Sequence, residues 1–150
     1  MILQPEILLV EDNPFDAELT IRALKSRNLA NSLIHVSDGQ AALDYLFGTG
    51  TDTGKTSCTH DTLKVVLLDL KLPKVDGLDV LRQIRANPHT KTLPVVVLTS
   101  SREERDIIET YHLGANSYIV KPVDFDKFSE AVSNLGLYWC VLNVVAMPKV

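Results

Sequence analysis

Four short apolar runs in this chain each end on a residue able to touch phosphate or a metal ion. Ile7–Val10 runs into Glu11 and Asp12, Val65–Leu68 into Asp69, the run 95–98 into Thr99, and Tyr118, Ile119 and Val120 into Lys121 and Pro122. Runs this short, rich in valine and isoleucine and apolar throughout, read as strands buried on both faces. Between them the apolar spacing changes to that of a helix. Ala17, Ile21 and Leu24 line one face after the first run, with Glu18, Arg22 and Lys25 turned outward. Strands alternating with helices of this length imply right-handed crossovers and a parallel sheet covered on both faces. In an open parallel sheet, ligands sit beyond the carboxyl ends of the strands. Three acids, a hydroxyl and an amine are thereby brought to one edge.

The punctuation between elements agrees with a β-α unit repeated five times. Asn13 is a good N-cap and Pro14 a good first helical residue. A second strand over 32–36 leads to Asp38, which caps a helix carrying Ala42, Leu43, Leu46 and Phe47. Asp76 and Gly77 open a helix through Val80, Leu81 and Ile84. Asn87 and Pro88 stop it, because the residue before proline disfavours helical geometry. Ser101 and Glu104 have the spacing of a capping box, opening a helix with Ile107, Ile108 and Tyr111 that Gly114 ends. A fifth strand over 116–121 precedes a last helix capped by Asp124 and carrying Phe128, Val132 and Leu135. The polar loop over 48–62 is long for a connection in a compact domain.

Composition narrows the function classes. With 150 residues the chain makes one domain, and its net charge of −4 argues against a nucleic-acid surface. Cys58 and Cys140 form neither a C-x-x-C pair nor a secreted framework, which suits a reducing, cytoplasmic setting. The N-terminus lacks the basic start of a signal peptide. The apolar stretch over 137–147 is well short of the roughly 20 residues that span a bilayer. Gly54, Lys55 and Thr56 look like the end of a phosphate-binding loop, but neither Gly48 nor Gly50 has the required spacing. Cys58 and His60 alone make no zinc site.

The five polar groups at the strand ends suggest a chemistry. Neighbouring acids repel, so a compensating charge must be present or one acid must hold a proton. Hard oxygen ligands without histidine or cysteine point to Mg²⁺ or Mn²⁺. Lys121 adds a fixed positive charge and Thr99 a donor. Such a set suits phosphoryl transfer, where the protein mainly positions groups and neutralises charge. A carboxylate can itself be the nucleophile, and Asp69, between the acid pair and the lysine, is the candidate.

At this point the residues resemble a known family. Glu11–Asp12, Asp69 followed by Leu70, Lys71, Leu72 and Pro73, then Asp76–Gly77, Thr99–Ser100 and Lys121–Pro122 are similar in order and spacing to the receiver domain of two-component response regulators. The resemblance covers about residues 6–135. It implies an α/β fold, a doubly wound five-stranded parallel sheet of the flavodoxin/CheY-like (βα)5 type with strand order 2-1-3-4-5. It implies that Asp69 accepts a phosphoryl group from a histidine kinase, acting as a phosphoacceptor rather than as an enzyme. Asp12, Asp69 and the backbone carbonyl of Lys71 would ligate Mg²⁺ (or Mn²⁺), with Glu11 acting through a water. Thr99 and Lys121 would bind phosphoryl oxygens, Lys121–Pro122 would be a cis peptide, and Pro73 would help turn the loop after Asp69. Tyr118 would be the switch aromatic that responds to movement of Thr99.

Two departures from a generic receiver narrow the resemblance. The loop over 48–62 and the apolar tail over 136–150, with Tyr138, Trp139, Val141, Leu142, Val144 and Val145, are similar to features of small stand-alone regulators of cyanobacterial phytochrome kinases. The partner implied is a phytochrome-type sensor histidine kinase, with no nucleic acid, no membrane and no output domain. A tail this apolar sits poorly in water. The preferred reading is a homodimer through the fourth helix, fifth strand, last helix and the Trp139 tail, against a tail folded back on its own domain. A magnesium phosphatase or phosphotransferase working through an aspartyl-phosphate is the competing class. It usually carries a second acid two residues after the nucleophile, where this chain has Lys71. A phosphorelay intermediate is a further alternative.

Overall fold

Valine, leucine and isoleucine at every position of the central strands up to Thr99 leave no polar face, so each strand must be covered from both sides. The computed structural model describes residues 5–29, 32–48, 62–122, 124–144 and 146, and the long loop with its Gly54–Lys55–Thr56 and Cys58–His60 lies outside them. Strands β1 (Ile7–Val10), β2 (Leu33–Val36), β3 (Val65–Leu68), β4 (Val95–Thr99) and β5 (Ser117–Val120) form one parallel sheet of order β2-β1-β3-β4-β5. They alternate with α1 (Pro14–Lys25), α2 (Gly39–Phe47), α3 (Gly77–Ala86), α4 (Glu104–His112) and α5 (Phe125–Leu137). This is the expected doubly wound α/β architecture. β1, β3 and β4 are buried along their whole length, whereas the edge strands β2 and β5 are only partly covered.

The period of two along each strand sorts the core into two layers. Ile7, Leu9, Val65, Leu67, Val96 and Leu98 face α1 and α5, meeting Ala17, Leu24, Phe128 and Val132. Leu8, Val10, Val66, Leu68 and Val95 face α2 and α3, meeting Ala42, Leu46, Val80, Leu81 and Ile84. Each of these side chains larger than alanine contributes roughly 1.5–3 kcal/mol by leaving water, and together they fix the strand ends relative to one another.

Four of the five expected helix caps form. Asn13, Asp38, Asp76 and Asp124 each accept backbone N–H groups of the first turn. The fourth helix differs. It begins at Glu104 with Glu103 at the cap and no side-chain cap bond, so the Ser101–Glu104 capping box is not made. Ser101 is engaged otherwise: its hydroxyl donates to Asp106 Oδ2 at 2.6 Å and accepts a 3.4 Å bond from Glu103 N. The two bonds use the hydroxyl's donor and acceptor sides at once, and the helix starts later than the capping box requires, with Glu103 rather than Ser101 at the cap.

Arg85 joins two loops at the amino edge of β4 and β5. Its guanidinium donates to the carbonyls of Gly114 (2.9 Å), Lys91 (3.1 Å) and Leu93 (2.7 Å) and to Asn116 Oδ1 (3.0 Å). Asn116 Oδ1 also accepts from Val95 N at 2.9 Å, tying the clamp to β4. Replacing Arg85 by Met leaves these acceptors without their donor. The expected loss is about 2–4 kcal/mol in urea denaturation, since bonds to charged donors are worth about 1.5–3 kcal/mol each and water recovers part of them.

The C-terminal segment continues α5 as a five-residue π-helical turn, Tyr138–Leu142. Trp139 packs in part on the α1/α5 layer and meets the Tyr138 ring edge-on at 4.9 Å. Cys140 is buried, which pushes its thiol up to about 11. Its carbonyl accepts from Lys64 Nζ at 2.9 Å, and Lys64 pairs with Glu6. This part of the tail folds back on its own domain, at the end of the sheet opposite Asp69. Tyr138, Val141, Leu142 and Val144 stay exposed.

Candidate phosphoryl-accepting site

Backbone hydrogen bonds carry the sheet register just past the strand ends. Asp69 N donates to the Val10 carbonyl (3.1 Å), Glu11 N to the Val36 carbonyl (3.1 Å) and Lys121 N to the Thr99 carbonyl (2.7 Å). Glu11, Asp69, Thr99 and Lys121 therefore stand in one row above neighbouring strands. The row crosses the point where β2 and β3 diverge on either side of β1, the crevice an open α/β sheet offers to ligands.

Glycine makes the loop after Asp69 possible. A Cβ on Gly77 would lie 2.3 Å from the Asp69 carbonyl oxygen, and Gly77 N donates to the Leu70 carbonyl at 2.9 Å. Pro73 turns the loop as expected: its carbonyl accepts from Val75 N (2.8 Å) and Gly39 N (3.3 Å), with Lys74 at a φ of 69°. That i→i+2 bond around a positive φ is a strained γ-turn.

The acids converge on one ammonium. Lys121 Nζ lies 2.6 Å from Glu11 Oε1, 2.9 Å from Asp16 Oδ2 and 3.1 Å from Asp69 Oδ2. The Lys121–Pro122 peptide is trans, contrary to the expectation of a cis bond. The long lysine stem reaches the acids from the trans bond, which X-Pro sequences favour by about 0.5–1 kcal/mol. Burial pulls the Lys121 ammonium down, but the three carboxylates outweigh it and hold it above its ordinary range. Burial pushes the Glu11 carboxyl up to about 7; the Lys121 bond opposes this and the Asp69 charge adds to it. Burial first, and the neighbouring Asp69 charge after it, leave Glu11 taking up a proton near neutrality.

Asp16 is the site residue that sequence reasoning missed. An acid in the first turn of a helix reads as a partner of the helix dipole. The available signal was its position four residues after Asp12, one helical turn into α1. His35 also lies beside the site, its Nε2 donating to the Glu11 carbonyl at 2.9 Å.

Glu11, Asp12 and Asp69 each offer an oxygen within 4.8 Å of the others. Among the described residues, the exposed Asp12 carboxylate makes no hydrogen bond or ion pair. An unpartnered carboxylate beside two further acid oxygens, with no nitrogen or sulfur ligand, fits a hard divalent cation. Lys71 stands exposed on the loop that follows.

Thr99 is fully buried, and its Oγ1 accepts a long 3.4 Å bond from Ser101 N. Tyr118 donates its hydroxyl to the Ser101 carbonyl at 3.0 Å, and its backbone N–H donates to Tyr111 Oη at 3.1 Å. Thr99 and Tyr118 therefore meet through one loop residue. On the other side of Lys121, a cleft of about 420 Å³ is lined by Asp16, Leu19, Ser100 and Pro122 and flanked by exposed Phe15 and Phe125.

The family model of the response regulator receiver domain matches residues 7–133. The chain belongs to the response regulator receiver domain family. Its fold is shared with the phosphorylated cyanobacterial phytochrome response regulator RcpA, at a TM-score of 0.83 and 34% identity over 95% of this chain and 98% of that one. Response regulator Rcp1 of Synechocystis sp. is 37% identical over 95% of this chain and 92% of its own length. Its Mn²⁺-bound structure matches at a TM-score of 0.80, 35% identity and 97% and 100% coverage. The probable methanogenesis regulatory protein FilR2 of Methanothrix harundinacea is 41% identical over 91% of this chain and 84% of its own length. This receiver domain is thus close to phytochrome response regulators, and its acid cluster is of the divalent-cation type. No helix among the described residues is long and apolar enough to cross a membrane.

Proposed function

We propose that this chain is a cytoplasmic, phosphorylation-switched response regulator that accepts a phosphoryl group on Asp69 from a histidine kinase. The observation that carries the reading is the convergence of Glu11, Asp69 and Asp16 on the Lys121 ammonium, beside an unpartnered Asp12. Asp12, Asp69 and the Lys71 carbonyl would hold Mg²⁺, with Glu11 acting through a water. When bound, the cation neutralises charge on the phosphoryl oxygens. An Asp69 oxygen attacks phosphorus, the donor's N–P bond breaks, and the imidazole keeps its electron pair. The new O–P bond makes an acyl phosphate. Lys121 and Thr99 bind its oxygens. Exposed Phe15 and Phe125 beside the cleft give an incoming protein donor an apolar rim.

The switch follows from the Ser101 contact. A phosphoryl group adds nearly two negative charges and strong acceptors. Thr99 turns its hydroxyl toward them and gives up the long bond from Ser101, and Tyr118, bonded to the same residue, follows. That alters the α4–β5–α5 face, which carries exposed Ile108 and Tyr111, near a tail with exposed Tyr138, Val141 and Leu142. This face and tail form a homodimer surface. A phytochrome-type kinase is the donor the similarity to RcpA supports.

Incubation with acetyl phosphate and Mg²⁺ tests the reading by intact-mass spectrometry. One phosphoryl group per chain should appear, labile to hydroxylamine and mapped to the peptide carrying Asp69. Beryllofluoride with Mg²⁺ should shift the sedimentation coefficient toward a dimer. No labelling by acetyl phosphate or by a phosphorylated kinase sinks the phosphoacceptor assignment, and unchanged sedimentation sinks the dimer.

A further inference from the structure

All three N–H bonds of the Lys121 ammonium are in use, on Glu11, Asp16 and Asp69. An ammonium has three donors, so none is left over. Two of its acceptors, Glu11 and Asp69, also belong to the acid trio that would hold a cation, and Asp16 does not. The ammonium thus occupies part of the charge role that a divalent cation would take. Two cations sharing Glu11 and Asp69 repel at close range. Asp16 sits apart from the trio, on the first turn of α1, with its side chain 26% exposed toward the cleft.

We infer that Asp16 is a positioning residue that receives the Lys121 ammonium when the acid trio binds a divalent cation, so that lysine and cation share the site rather than exclude one another. The inference rests on the reading of Glu11, Asp12 and Asp69 as the cation site. Without Asp16, Lys121 keeps only the two acceptors that the cation needs. Cation affinity then carries the full cost of leaving a buried ammonium short of partners. With Asp16 present, the ammonium moves toward α1 and stays paired.

Calorimetric titration of the full chain with MgCl₂, after chelator treatment and dialysis, tests this. Asp16→Asn is expected to weaken Mg²⁺ binding about tenfold, in line with typical coupling between contacting charges. Asp16→Glu, which returns a carboxylate, should recover most of that loss. The deciding comparison is the Lys121→Gln background, where there is no ammonium to receive. There Asp16→Asn should change affinity by less than about twofold if its effect runs through Lys121 alone. Equal weakening in both backgrounds marks a plain loss of negative charge and overturns the inference. So does unchanged affinity of Asp16→Asn. A wild-type chain that takes up no Mg²⁺ overturns the cation-site reading and this inference together. Wild-type binding with an unaltered Asp16→Asn overturns the inference alone. Circular dichroism of each variant confirms that it is folded.

Discussion

The Asp69→Asn protein is expected to take up no phosphoryl group from acetyl phosphate or from a phosphorylated kinase, while melting at a higher temperature than the wild type. The first half follows from chemistry. An amide has no carboxylate oxygen to attack phosphorus, and Asp69 is the acid nearest the end of β3, held there by its N–H bond to Val10. Glu11 cannot replace it, because its two oxygens are taken up by Lys121 and by Asn13 N. The second half follows from the charge balance. The substituted amide keeps the size of the side chain, and Lys121 keeps Glu11 and Asp16. One of three like charges disappears, and the Asp69 charge is among the causes that raise Glu11. Relief of that repulsion is expected to add roughly 1 kcal/mol. Intact-mass spectrometry and a thermal melt in chelator read the two halves separately. Stoichiometric label on Asp69→Asn would remove Asp69 as the acceptor. A lower melting temperature would show that its bond to Lys121 outweighs the repulsion.

The same site shows where a sequence is legible and where it is not. The central strands could be read because their residues answer to one demand, burial on both faces, which a run of valine, leucine and isoleucine meets. Asp38, Asp76 and Asp124 could be read as caps because the orphan amides they satisfy lie within three residues. Ser101 had the same local signal and a different fate, since the helix starts two residues later than that signal implies, with Glu103 at the cap, and Ser101 instead bonds Asp106 five residues on. Asp16 and Lys121 are 105 residues apart, and only the closing of β5 against β4 brings α1 and Lys121 together. Arg85 likewise binds carbonyls from two loops, and no spacing in the chain announces them. Local chemistry was legible, and contacts made by long side chains across the sheet edge were not. The Trp139 tail belongs with the latter: its apolarity says it needs a cover, but its own α1/α5 layer supplies part of that cover.

Glu11 makes the cation-free domain lose stability as the pH rises from about 4.5 to about 7. Its carboxyl is raised from 4.5 to about 7 in the folded state, with burial the largest cause. Below about pH 4.5 both folded and unfolded chains hold the proton, and the group favours neither. Between 4.5 and 7 the unfolded chain has released the proton and the folded chain still binds it. The folded state then binds more protons, so the free energy of unfolding falls as pH increases. Above about 7 the loss is complete, and at about 1.4 kcal/mol per pH unit it amounts to about 3 kcal/mol. The sign is opposite to that of a salt-bridged acid with a depressed value. It arises because burial of the Glu11 carboxyl, with the Asp69 charge beside it, outweighs the bonds from Lys121 and Asn13 N. Urea denaturation in chelator at about pH 5, 6, 7 and 8 should show this decline in the wild type, and Glu11→Gln, which has nothing to titrate there, should lack it. The comparison of slopes matters more than absolute stability, since the glutamine also loses the bond from Asn13 N. Parallel slopes in the two proteins would mean that Glu11 is ionised throughout and that Lys121 alone neutralises the cluster. Saturating Mg²⁺ should flatten the wild-type slope, because a ligating carboxylate cluster favours the ionised form over the protonated one.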